Sequence, residues 1–227
     1  MKKYFLVALA IITLIACKKN DDETTIELAE GYNYTFTVHI KSYWTEKTHP
    51  TNFPVDAGFG KILGITHESD NLLFQVGEKA NTWMQPYFET NSTTNFQSYF
   101  SEYQGSNQVG DIIVKDGFKA SKETSFEFTT TSDNSKVSLL MKLSPSPDWF
   151  VAISNINLDP LAMGGKVSYK VSSYDAGIFS GTTYTEMGNK TDSNISYKND
   201  MPLNFPKGGT NKFALVSISY NSRKSVK

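Results

Sequence analysis

From residue 32 the chain alternates. Tyr32, Tyr34, Phe36, Val38 and Ile40 are apolar, and the residues between them, Asn33, Thr35, Thr37 and His39, are polar, as is Lys41 after them. A period of two puts the apolar side chains on one face of an extended strand, so this segment predicts a half-buried β-strand. The same period returns in Phe126/Phe128, Val137/Leu139/Met141/Leu143, Trp149/Val151/Ile153, Val167/Tyr169/Val171 and Val216/Ile218/Tyr220. Clusters of Gly, Asn, Ser and Asp separate these runs, as turns between strands require. Half-buried antiparallel strands must cover one another's apolar faces. The expected fold is therefore mainly β, an antiparallel β-sandwich. Only the middle of the chain departs from this pattern. Ala80, Trp83, Met84, Tyr87 and Phe88 fall at helical spacing, as do Phe96, Tyr99, Phe100 and Tyr103. They predict one or two short helices whose aromatic stripes cover the core, with Pro86 keeping the first one short.

The first residues concern transport rather than folding. Lys2 and Lys3 precede an apolar run, Tyr4 to Ile15, that has the length of a signal-peptide core and is too short to stay as a span. Leu14-Ile15-Ala16-Cys17 then resembles a bacterial lipobox, which makes residues 1–16 a lipoprotein signal peptide and Cys17 the lipidated first residue. A plain signal peptide that happens to end in cysteine is the alternative. Against it, Cys17 is the sole cysteine and stands where lipidation needs one. Lys18 to Glu23, with Asp21, Asp22 and Glu23 at its end, resembles the acidic tag that routes some lipoproteins to the outer face of the bacterial outer membrane. Residues 17–31 read as an acidic tether and 32–227 as one domain.

With its one cysteine used as an anchor, the exported domain must be held by its core rather than by disulfides. A composition of 39% hydrophobic and 13% aromatic residues suffices for a large core. A net charge of −1 offers no broad basic field, so nucleic acid is not an expected partner. The chain contains no G-x-S-x-G, no P-loop and no H-E-x-x-H, and His67-Glu68-Ser69-Asp70 lacks the second histidine of a zinc protease. His39, His49 and His67 show no metal spacing. Asn91-Ser92-Thr93 and Asn194-Ile195-Ser196 are chance matches to glycosylation acceptors in a bacterial lipoprotein.

Ser144-Pro145-Ser146-Pro147-Asp148-Trp149-Phe150 is the most constrained stretch. Its two prolines keep the backbone extended and remove two amide donors, and Asp148 stands at the lip of the apolar run Trp149 to Ile153. A carboxylate on so stiff an approach serves either a metal site or a fixed turn. Asp175 follows the expected strand Lys166 to Ser173, and a turn-rich connection, Asn155 to Gly165, precedes that strand. If the strands Trp149–Ser154 and Lys166–Ser173 pair as an antiparallel hairpin, Asp148 and Asp175 meet at one rim. Gly177 then lets the second loop turn sharply.

Three blocks of the chain resemble a known family. Tyr43-Trp44 through His49-Pro50, with Phe53-Pro54 and Gly64-Ile65-Thr66-His67, resembles the opening of the spondin N-terminal domain. Pro145 to Val151 resembles its P-S-P-D-W-F-V-G, and Asp175-Ala176-Gly177-Ile178-Phe179-Ser180-Gly181 its D-A-G-T-D-S-G. The resemblance runs from about Phe36 to Thr191. It implies a C2-like β-sandwich with a calcium ion held by aspartates of the last two blocks, here Asp148 and Asp175, and a family found in secreted matrix and adhesion proteins. Phe179 stands in place of the second aspartate of D-A-G-T-D, Ala152 in place of a glycine, and the family's cysteines after the W-F-V strand are absent. With one carboxylate fewer, backbone carbonyls and water must complete a shell of about 6–8 oxygens, and the expected affinity is weak, about 10⁻⁴–10⁻³ M. The combined reading is a non-enzymatic, lipid-anchored surface module that adheres to or recognises an external protein or glycan. The alternatives are an accessory subunit of a surface uptake complex, and an extracellular hydrolase using Asp148 and Asp175.

Overall fold

A computed structural model describes residues 26–200 and 213–226. The expected signal peptide, Cys17 and the acidic residues after it lie outside the described residues. No helix among the described residues is long and apolar enough to cross a membrane.

The strands are β1 (Tyr32–Ser42), β2 (Gly58–His67), β3 (Val109–Lys115), β4 (Phe118–Lys119), β5 (Glu123–Thr130), β6 (Lys136–Ser144), β7 (Trp149–Asn157), β8 (Lys166–Lys170), β9 (Ser172–Asp175), β10 (Ser196–Tyr197) and β11 (Ala214–Ser225). Two helices, α1 (Met84–Thr90) and α2 (Thr94–Gly105), fall between β2 and β3. The strands form two antiparallel sheets. A four-stranded sheet runs β5-β1-β11-β8, and a seven-stranded one runs β10-β9-β7-β6-β2-β3, with β4 also on β2. β1 alternates as its sequence predicts, with Tyr34, Phe36, Val38 and Ile40 buried. Its partner β11 runs the whole length of β1, from Tyr32↔Ser225 to Ser42↔Ala214.

The main core lies between the sheets. It takes Val137, Leu139, Met141 and Leu143 from β6 and Trp149, Val151 and Ile153 from β7, the alternating sets of the sequence. The seven-stranded sheet buries its other face as well. Leu63, Ile65, Leu140, Phe150, Ala152 and Tyr174 meet Trp83, Met84, Tyr87, Phe88, Phe96 and Phe100 of the helical segment in a second core. The helical stripes are thus core cover, and the expected two-layer sandwich carries a partial third layer. Phe150 stacks on Tyr174 at 5.0 Å, a pairing worth about 0.5–1.5 kcal/mol beyond its buried area.

α1 begins at Met84, so Ala80 and Trp83 precede it. Pro86 falls in its first turn, where the missing N–H has no helical acceptor to lose. Tyr87 locks this helix to the sheet at the β2 bulge between Phe59 and Ile62. Its hydroxyl donates to the Lys61 carbonyl at 2.5 Å and accepts from the Lys142 N–H at 2.8 Å.

Two sequence expectations need correction. The segment Lys166–Ser173 is not one strand paired with β7. Its first part, β8, pairs with β11 in the four-stranded sheet, from Ser219↔Lys166 to Leu215↔Lys170. At Val171 the chain crosses over, and β9 pairs with β7 from Ala152↔Ser172 to Trp149↔Asp175. Val167, Tyr169 and Val171 still face the main core, because period two reports the buried face and not the partner strand. The polar tether also ends before Gly31. Leu28 is buried in the main core, and its N–H donates to Asp159 Oδ1 at 3.0 Å.

Candidate functional site

The start of β7 and the end of β9 do meet, although β9 alone supplies the second strand. Ser146 Oγ accepts the Trp149 N–H at 3.0 Å, so the proline-bracketed segment feeds β7 through a fixed turn. Asp148 is 1% exposed. Its Oδ2 accepts two N–H bonds at 2.8 Å, from Ile178 and from Phe179, and its carbonyl accepts the Ala176 N–H at 3.2 Å. Asp175 Oδ1 accepts the Gly177 N–H at 2.8 Å, and Oδ2 accepts the Trp149 indole N–H at 3.2 Å. Gly177 sits at φ +72°, and a Cβ there would lie 2.5 Å from the Ser193 carbonyl oxygen, so the loop accepts only glycine. Each carboxylate thus caps the loop that runs from Asp175 to Phe179, and Asp148 does so from another part of the chain.

Burial, and next the charge of Asp175, push the Asp148 carboxyl up to about 6. The N–H bonds from Phe179 and Ile178 and the Lys142 ammonium oppose this rise. Lys142 is itself held below the usual lysine range by burial, with Asp148 pulling it back up, and it donates to the Phe88 carbonyl. A desolvated carboxyl repelled by a second one is a place that a divalent cation would relieve. Both N–H bonds to Asp148 fall on Oδ2, so Oδ1 is not spent on them. Were calcium to bind at this rim, Asp148 and Asp175 would be its carboxylates, with Asp148 Oδ1 the oxygen that no N–H of the Asp175–Phe179 loop takes. Phe179 is buried and contributes only its N–H. Among the described residues no three His, Cys, Asp or Glu side chains gather as a metal site.

The histidines play separate parts. His39 lies on the polar face of β1, with Nε2 3.6 Å from Glu123 Oε2. His49 is buried over Phe213, ring centroids 4.3 Å apart, with Nδ1 3.0 Å from Thr48 Oγ1. His67 Nδ1 donates to the Ser69 carbonyl at 2.8 Å, and Nε2 meets Ser138 Oγ at 2.8 Å. Burial lowers the His67 pKa, so the ring is a neutral strut between β2 and β6.

Sequence reasoning missed Lys142, Ile178 and Phe179 as partners of Asp148, and it placed Thr183-Tyr184 in the family resemblance without a packing role for Tyr184. Tyr184 packs against Trp44 at 5.3 Å and against Trp149 at 5.6 Å. The first two blocks of the resemblance, which lie far apart in sequence, therefore converge on one buried ring just beyond the third. Trp44 also meets Phe53, Phe59 and Phe213, so the first block is a packing unit.

Comparison with known proteins finds spondins among the relatives of this chain. Spondin-1 of Gallus gallus is 27% identical over 173 residues, which covers 72% of this chain and 21% of the relative. Spondin-1 of Mus musculus is 31% identical over 151 residues, 62% of this chain and 18% of the relative. Spondin-2 of Rattus norvegicus is 26% identical over 166 residues, 68% of this chain and 47% of the relative. The chain spans about a fifth of the Spondin-1 relatives and about half of Spondin-2. The family model described as Spondin_N matches residues 33–213, past Thr191 and into the closing strand's approach. The chain therefore belongs to the spondin N-terminal domain family.

Proposed function

We propose that this chain is a lipid-anchored adhesion module on the outer face of a bacterial outer membrane. It recognises an external protein or glycan, and calcium sits at the Asp148–Asp175 rim. Family membership across residues 33–213 carries the reading, since the resemblance is to domains of secreted matrix and adhesion proteins. Cys17, alone in the chain and directly after Leu14-Ile15-Ala16, suits a lipid anchor. When bound, calcium supplies positive charge between two carboxylates. The protein's own part is to hold those carboxylates on one rim and to tie the Asp175–Phe179 loop to β7. Loops so fixed present the same surface to a partner in every molecule, which lowers the ordering cost of binding.

The test uses cells that carry the wild-type gene, Cys17→Ser or a deletion. They are compared for adhesion to immobilised matrix proteins and glycans, with and without EDTA. Adhesion that requires the gene and is lost in Cys17→Ser supports the reading. A deletion strain that adheres as well as wild type ends it.

A further inference from the structure

We propose that the cleft where β7 loses its neighbouring strand binds a short neutral oligosaccharide. β9 accompanies β7 only as far as Ala152↔Ser172, because the preceding residues belong to β8 in the other sheet. β7 continues to Asn157 with no strand on that side among the described residues. The sheet opens there into a cleft of about 500 Å³, within the ~300–1,000 Å³ usual for small-molecule sites.

The cleft has an aromatic wall and a polar rim. Tyr197 is 59% exposed, and its ring lies 5.1 Å from Tyr174 at 31°. Tyr174 is in turn stacked on Phe150 and met edge-on by Phe74 at 5.0 Å. The exposed ring is thus the outer member of a packed column. Across the cleft, Asn71 and Asn155 hold one another. The Asn71 N–H donates to Asn155 Oδ1 at 2.9 Å, and Asn155 Nδ2 donates to Asn71 Oδ1 at 3.0 Å. That pairing leaves the amino group of Asn71 for a ligand, and Gln75 adds a second amide to the lining.

A sugar ring has the matching chemistry. Its C–H face rests on the electron-rich face of an aromatic ring, and its hydroxyls both donate and accept, as amides do. Among the described residues Lys170 is the only charged side chain lining the cleft, so a phosphate or a polyanionic glycan would find too little counter-charge. The open edge of β7 would also suit an extended peptide. The exposed aromatic ring and the amides favour the sugar.

The full chain, purified in a detergent without sugar groups, is titrated calorimetrically with tetrasaccharides of glucose, mannose, galactose and xylose. At least one should bind. Tyr197→Ala should weaken it by about tenfold or more while the protein stays folded by circular dichroism, whereas Tyr197→Phe should stay within about threefold of wild type. Asn71→Ala should weaken binding by about threefold or more. Binding that persists in EDTA separates this cleft from the calcium rim. The proposal is overturned if no tetrasaccharide binds, if Tyr197→Ala binds as wild type does, or if EDTA abolishes binding and so assigns the sugar to the rim. Protection of the Ile153–Asn157 amides from hydrogen exchange by an extended peptide pool, with no sugar bound, would assign the edge to strand addition instead.

Discussion

The indole N–H of Trp149 donates to Asp175 Oδ2 across 3.2 Å, and the same two residues are register partners in the β7–β9 ladder. The backbone pairing sets the side chains opposite each other, and the side-chain bond then ties the apolar core to the loop carboxylate. Trp149 is at once the inner wall of the rim and a neighbour of Tyr184.

Trp149→Ala should therefore destabilise the protein by about 3–5 kcal/mol, measured by denaturant unfolding. Trp149→Phe keeps most of the ring and loses only the indole donor, so its cost beyond lost volume should be about 1–1.5 kcal/mol. Unfolding of Trp149→Ala at the wild-type midpoint would remove this residue from the core.

Asp148 makes stability depend on pH in a defined direction. Its folded pKa, about 6, lies above its ordinary 3.8, so the folded state holds the proton more tightly than the unfolded chain. The resulting stabilisation is fully present below about 3.8 and lost as pH rises through about 6, roughly 3 kcal/mol in all. His67 acts in the opposite sense. Its folded pKa is lowered, so its contribution is full above about 6.5 and lost as pH falls below that value. Asp148→Asn isolates the first effect. The stability of wild type minus that of the variant should fall by about 3 kcal/mol from acid to neutral pH, and a difference that stays flat would contradict the assignment.

Calcium at about ten times a millimolar Kd should stabilise the wild-type protein by about 1.4 kcal/mol. For a domain of this size that is a rise of about 3–6 °C in melting temperature over EDTA. Asp148→Asn and Asp175→Asn should each lose the rise. A wild-type melting curve that calcium does not move would remove the metal from the rim and leave both carboxylates as loop caps.

Tyr87→Phe tests the tie between the helical layer and the seven-stranded sheet. The variant keeps the ring and strands the Lys61 carbonyl and the Lys142 N–H, which the hydroxyl serves at once. An unserved buried group costs about 1–3 kcal/mol, so a loss in that range is expected by chemical unfolding. Stability equal to wild type would show that water replaces the hydroxyl there.

By itself the sequence determined which residues lie inward wherever a strand has one wet face. Tyr34, Phe36, Val38 and Ile40 of β1 are the clear case, because burial on one side writes a period of two into the chain. The helical stripes around Trp83 and Phe96 were legible for the same kind of reason. The nearness of Asp148 and Asp175 was legible too, since it needs only the start of one strand to pair with the end of another. What pairs with what was left to the tertiary structure. A strand can change sheets at Val171 without breaking its alternation, because Val167, Tyr169 and Val171 face the main core up to the crossing and Ser173, two residues on, is buried opposite Val151. The second core was likewise hidden, because Phe150 and Ala152 read as the off-beat of a half-buried strand until helices cover them. The two N–H bonds that hold Asp148 come from Ile178 and Phe179, whose side chains have no part in them. Backbone donors carry no residue identity, so only the folded loop decided that Asp148 would be their acceptor.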